Sequence, residues 1–364
     1  MTQEEIILFK ELCKFKSSTI DEAIIEHASP EVLGQLFFNR MQGIAYIQLK
    51  NSSLLTKTNR EFRNSLKSAH EQNVIKNNSF FKCVEMISNI LLKCKHNVAM
   101  LKGALLCVRY PEGCRTSNDI DLLMLPENVT EVGELLKEAG FKQGSIKNGE
   151  FVEATRKEII ESKMMRGETV PYIKQVDLPG MKFLEVDINF SLDYKNGDDN
   201  TLANILNHTQ IINESGLQIP TLSAEDFFIH LCAHLYKEAT TLPWIEMHRD
   251  MTLYKYSDIY MLLLEMTESD IDKVFVRAKE LGMELICSYV ILSTAELFDV
   301  DESKAITLSK GIIKTDQDFL FKVIDPKDKK TFKYQTENIV ERFFLKNRKN
   351  DLVEVNANGK TKNA

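Results

Sequence analysis

VAMLKGALLCVRYPEGCRTSNDIDLLMLP, residues 98–126, is the stretch whose reading decides the fold. The apolar run Val98, Ala99, Met100, Leu101 breaks at Lys102-Gly103. A short apolar-rich segment follows, and a loop carrying Arg115 and Ser117 leads into Asp119-Ile120-Asp121 at the head of a second apolar run. Short apolar runs punctuated by Gly and polar residues predict strand, turn, helix, loop, strand. Side chains alternate faces along a strand, so Asp119 and Asp121 project to one side while Ile120 and Leu122 enter a core. Two carboxylates this close repel each other unless a cation lies between them. Hard oxygen ligands of this kind suit Mg²⁺, which is usually held by one or two carboxylates together with substrate phosphates. Gly103 lets a backbone approach a phosphate at a helix start, and Lys102 adds positive charge beside it. The stretch reads as a place for a metal-bound nucleoside triphosphate.

Downstream, Pro126-Glu127 begins a helix that turns Val129, Val132, Leu135, Leu136 and Ala139 inward and stops at Gly140. Residues 143–168 are rich in charge and read as a helix or a lid. A hairpin then runs through 172–178, a Pro179-Gly180 turn and 181–192. On its second arm Glu185, Asp187 and Asn189 share one face. Alternating charge on a strand is commonly just its wet side, but with Asp-x-Asp upstream Asp187 becomes a candidate third carboxylate and Glu185 its local competitor.

The order Leu101-Lys102-Gly103, Tyr110-Pro111, Arg115, Asp119-Ile120-Asp121-Leu122-Leu123 resembles the uncharacterised nucleotidyltransferase family of the DNA polymerase β-like nucleotidyltransferase superfamily. The resemblance covers residues 98–300. The wider superfamily usually carries Gly-Ser where this chain has Gly103-Ala104, so a hydroxyl that commonly helps hold a phosphate is absent, and Lys102 is the local substitute. The resemblance implies an α+β fold: a nucleotidyltransferase-type mixed β-sheet core flanked by N-terminal and C-terminal helical regions. It also implies metal ligation by Asp119, Asp121 and Asp187, with two Mg²⁺ ions (Mn²⁺ as the substitute), and nucleotide contacts from Lys102, Gly103, Arg115 and Ser117. His234 and Asp258 match positions where the family carries His and Asp on helices that cover the nucleotide site. They are catalytic candidates, against the reading that they lock two helices together. The expected substrate is a nucleoside triphosphate, ATP by abundance, and the expected acceptor is a small molecule or peptide. The alternatives are an RNA- or protein-directed, toxin-like transferase and a non-catalytic nucleotide-binding module.

The rest of the chain frames this core. A length of 364 residues suggests more than one packed unit. The expected organisation is an N-terminal helical region at 1–97, the α/β core at 98–220, a C-terminal helical domain at 221–310, and a basic polar tail at 311–364, partly disordered. Ser29-Pro30-Glu31 marks a helix start before Val32, Leu33, Leu36 and Phe37. Residues 56–77 and a stripe of Val84, Ile87, Ile90 and Leu91 read as two successive helices that pack and do no chemistry. Ser223 with Asp226 caps a helix carrying His230 and His234 four residues apart. No Glu sits between them as in His-Glu-x-x-His and no third ligand is evident, so they are not read as a zinc pair. Helices at 271–281 and 283–298 flank Gly282. A net charge of −7 argues against a general nucleic-acid binder, which needs many Lys and Arg contacts to phosphate. Seven Cys without a C-x-x-C pair fit reduced thiols better than a disulfide framework or zinc site. With an acidic N-terminus and no apolar run of membrane-spanning length, the expected location is the cytoplasm.

Overall fold

A computed structural model of the chain describes residues 1–15, 20–192 and 199–355. Its contacts divide into two compact units. One comprises Gln42–Ile47 and Arg63–Phe227; the other comprises Met1–Met41, Gln48–Phe62 and the residues from Phe228 onward. The expected four consecutive segments are thus replaced by a discontinuous helical unit into which the sheet unit is inserted, a division that linear composition does not show.

The first unit holds a six-stranded mixed sheet made of β1 (Ala99–Met100), β2 (Asp119–Leu123), β3 (Lys142–Lys147), β4 (Glu150–Glu153), β5 (Tyr172–Leu178) and β6 (Met181–Asn189), in the order β1-β2-β6-β5-β3-β4. β2 and β6 run parallel, and their neighbours pair antiparallel. Ile120, Leu122, Val186 and Ile188 are fully buried on one face. That alternation is what the period-two reading requires, because a one-residue slip would send the whole set to solvent. The hairpin β5–β6 turns at Pro179-Gly180 as expected, with Gly180 at φ +72 where only glycine is unstrained. A separate hairpin, β7 (Gln210–Glu214) and β8 (Leu217–Thr221), is tied to β1 by Thr221 Oγ1, which donates to the Met100 carbonyl at 2.7 Å.

Residues 143–168 are not one helix or a lid. They contain β3, β4 and the helix Arg156–Arg166, which starts at a Thr155–Glu158 capping box. The β3–β4 turn is Asn148-Gly149, both with positive φ, the favoured chemistry for a two-residue hairpin. Its strands are mainly polar and mostly exposed or half-buried because they lie at the sheet's far end, where water and not a core meets the side chains. The two helices expected between 56 and 91 are one, Arg60–Leu91.

In the helical unit, Ser29 caps the helix Pro30–Phe38, Thr267 caps Glu268–Leu281, and Gly282 at φ +66 separates the latter from Glu284–Phe298. Residues 311–355 are not a tail. After the helix Lys304–Ile313 they form an antiparallel sheet of β9 (Lys322–Asp325), β10 (Lys330–Tyr334) and β11 (Leu352–Val355), in the order β11-β10-β9. Val323 and Tyr334 pack with Ile245 in a small core. The Arg348 guanidinium grips Asp250 through two bonds of 2.6 and 2.7 Å, both partners buried. Breaking such a pair strands a charge in the interior. Residues 356–364, where disorder was expected, lie outside the described residues.

Candidate active site

The parallel register of β2 and β6 sets Asp119 beside Glu185 and Asp121 beside Asp187. Adjacent strands lie about 4.8 Å apart, so the four carboxylates project from one face as two neighbouring pairs. At about 5 Å and an effective dielectric of about 20, the partly buried Asp121–Asp187 pair repels by about 3 kcal/mol, and the pair that includes exposed Asp119 by less. The consequence is visible in Asp187. Burial first, then the charges of Asp121, Asp119, Glu185 and Glu168, push its carboxyl up from 3.8 to about 8. Glu185 is raised too, by burial and then by Asp119. Both shifts have the same origin: a half-buried place shared by several carboxylates disfavours the ionised form.

Lys102 comes from the strand-to-helix elbow. Leu101 extends β1 by donating its N–H to the Asp121 carbonyl at 2.9 Å, and the helix Gly103–Arg109 begins directly after Lys102. The elbow bends at Lys102 itself, with φ +45 and ψ −113, a conformation natural to glycine and costing a lysine on the order of 1–3 kcal/mol. The bend delivers the ammonium to Asp121 Oδ1 at 3.1 Å. This helix is only seven residues long, so the positive potential here comes mainly from Lys102 and little from a helix dipole.

Gly103 has a contact the sequence did not suggest. A Cβ there would lie 2.6 Å from Ser117 Oγ and 2.7 Å from its Cβ. Glycine therefore lets the loop after Arg115 close onto the elbow, where the Ser117 hydroxyl donates to Asp119 Oδ1 at 2.7 Å. Arg115 is half-buried on the same loop, with Nη1 donating to the Thr116 carbonyl at 2.5 Å. The structure thus gathers Lys102, Gly103, Ser117, Asp119, Asp121 and Asp187 within one unit. Glu168 joins them through a bridge to Asn189 just past Asp187, a neighbour that no sequence spacing signals.

His234 and Asp258 belong to the helical unit, on the helices Ala224–Ala239 and Leu253–Glu265. His234 Nε2 lies 3.3 Å from Glu238 Oε1, one turn along its own helix, and Glu238 also pairs with Lys255. Asp258 is buried.

The donor set fits a hard divalent cation: Asp119, Asp121 and Asp187 offer carboxylate oxygens on one strand face. As the side chains lie, no three His, Cys, Asp or Glu groups among the described residues surround a single point. The Lys102 ammonium occupies that role at Asp121. None of the seven cysteines forms a disulfide, and no helix among the described residues is long and apolar enough to cross a membrane.

The chain belongs to the family of uncharacterised nucleotidyltransferases, whose model matches residues 28–299. Among solved structures it is similar to an antigenic nucleotidyltransferase-like protein from Paracoccidioides brasiliensis, with 12% identity, a TM-score of 0.34, and coverage of 56% of this chain and 89% of that one. No curated protein matches it.

Proposed function

We propose that this protein transfers a nucleoside monophosphate, AMP from ATP, to a hydroxyl or similar group on a small molecule or peptide, releasing pyrophosphate. The observation that carries the reading is the register that sets Asp121 beside Asp187 and Asp119 beside Glu185, one elbow away from Lys102. Asp119, Asp121 and Asp187 would hold Mg²⁺, two ions, with Mn²⁺ as a substitute. When bound, the metal neutralises charge on the triphosphate and on the displaced pyrophosphate.

The remaining work falls to the chain. Lys102, which lies 3.1 Å from Asp121 Oδ1, would meet the β and γ phosphates once that carboxylate turns to the metal. Ser117, pressed on Gly103 at the elbow, would bring a hydroxyl to the phosphate side of the site, where Ala104 offers none. Arg115, on the same loop, adds a planar fork of donors suited to phosphate oxygens. Phosphoryl chemistry needs little more than such positioning and charge neutralisation.

Glu185 and Glu168 add negative charge around the acceptor-facing carboxylate Asp187. That favours a neutral or cationic acceptor over a nucleic acid, in line with the net charge of −7. His234 and Asp258 are proposed, from the family resemblance, to serve the acceptor. The reduced cysteines suit a cytoplasmic setting. Incubation with α-labelled nucleoside triphosphates, Mg²⁺ and a cell extract tests the reading. Label should pass to an extract component with pyrophosphate release, and its failure to move with any of the four nucleotides would sink the proposal.

A further inference from the structure

The loop 111–118, which carries Arg115 and Ser117, is held at both ends. Its downstream end closes on Gly103. Its upstream end is tied to the helix Arg60–Leu91, a helix whose sequence suggests packing alone. His70 and Asn73 stand three apart on that helix, the spacing that puts both on one face. His70 Nε2 lies 2.9 Å from the Glu112 carbonyl oxygen, and Asn73 Nδ2 donates to the Gly113 carbonyl at 2.9 Å. A carbonyl only accepts, so Nε2 carries a proton and the contact fixes that nitrogen as donor. The Tyr46 ring packs 4.7 Å from the imidazole, centroid to centroid.

Two glycines allow this closeness. A Cβ on Gly43 would lie 2.2 Å from the Gly113 carbonyl oxygen, and one on Gly113, at φ +75, would lie 2.8 Å from His70 Nε2. Both bonded carbonyls belong to a surface-side turn whose Glu112 is exposed. Water can reach the carbonyl of exposed Glu112, whereas Gly113 is buried and its carbonyl takes its bond from Asn73. What the bonds add is order, and fixing a loop residue costs about 1–2 kcal/mol when a ligand must do it.

We infer that His70 and Asn73 are positioning residues for the nucleotide. They hold loop 111–118 in place before binding, so that Arg115 and Ser117 meet the triphosphate without first ordering the loop. The inference rests on the nucleotide-site reading above. Both act through the loop backbone, by their bonds to the Glu112 and Gly113 carbonyls.

The test uses full-length protein in four forms: wild type, His70→Ala, Asn73→Ala and His70→Gln, whose amide nitrogen reaches about as far as Nε2. Hydrogen exchange of the 112–118 amides is measured without nucleotide, and affinity for α,β-methylene-ATP with Mg²⁺ is measured by calorimetry, with melting temperature alongside. Each Ala variant should exchange faster across this loop and bind about five- to tenfold more weakly, the loss expected of one net hydrogen bond. His70→Gln should restore most of both. Unchanged exchange in the Ala variants overturns the strap. Faster exchange with unchanged affinity overturns its role in nucleotide binding. Wild-type protein that binds no analogue at all refutes the site reading itself, a failure seen without any variant.

Discussion

Asp187→Asn isolates the electrostatic strain of the site. In wild type, burial and then the neighbouring carboxylates push the folded carboxyl up from 3.8 to about 8. Its pKa is raised on folding, so the penalty is absent below pH 4, where both states hold the proton. It grows as pH rises towards 8, because the unfolded chain ionises freely and the folded one does not. Each unit is worth about 1.4 kcal/mol, giving a ceiling of about 4 kcal/mol between pH 5 and 8. Water at the half-buried site and rearrangement of Lys102 screen part of this, and about 2 kcal/mol is expected to survive. Asparagine keeps the shape and cannot ionise. In urea unfolding with a chelator present, the variant should therefore gain about 2 kcal/mol on wild type between pH 5 and pH 8. A difference between the two proteins that stays flat across that range would refute the claim that burial and the neighbouring carboxylates raise Asp187 on folding.

Asp119→Asn and Asp121→Asn should each abolish label transfer while leaving the circular dichroism spectrum and melting temperature close to wild type, since removing a like charge relieves repulsion. Transfer near the wild-type rate in both variants would remove them from the metal site. Lys102→Met keeps the stem and deletes the charge, and nucleotide affinity by calorimetry should fall about ten- to a hundredfold. Unchanged affinity with a lowered melting temperature would mark Lys102 as structural. His234→Gln should lower turnover well beyond any loss of folded protein while nucleotide binding stays near wild type, whereas wild-type turnover in the folded fraction would return His234 to a purely structural place beside Glu238.

Much of this architecture was legible because its signals are local. Alternation at 119–123 and 185–188 announced one buried and one polar face, and Pro179-Gly180 announced its turn. Ser29 and Ser223 sit where helix starts demand an acceptor side chain. Parallel pairing of β2 with β6 needs three-dimensional information, since period two gives each strand's faces but not its partner. The β3–β4 hairpin escaped notice although Asn148-Gly149 is a strong turn signal, because its edge strands are polar and pattern-reading follows apolar residues. The C-terminal sheet escaped for a related reason: strands of four or five residues with one or two core positions each look like a tail. His70 and Asn73 gave no signal at all. A polar residue on a long amphipathic helix reads as wet surface until the loop it holds is known.

The pairing of Asp121 with Asp187 also has a temporal side. The two residues are sixty-six positions apart (187 − 121), and β3, β4 and β5 all lie between them. A contact this distant is reached slowly, since the chain must close a long loop before the pairing rewards it. During synthesis, β2 emerges with its two carboxylates well before β6 exists. The repulsive cluster is thus not a seed of folding but something the nearly finished sheet has to absorb. Whatever neutralises it, proton, ammonium or metal, acts at the final closure and sets how readily the last strands join.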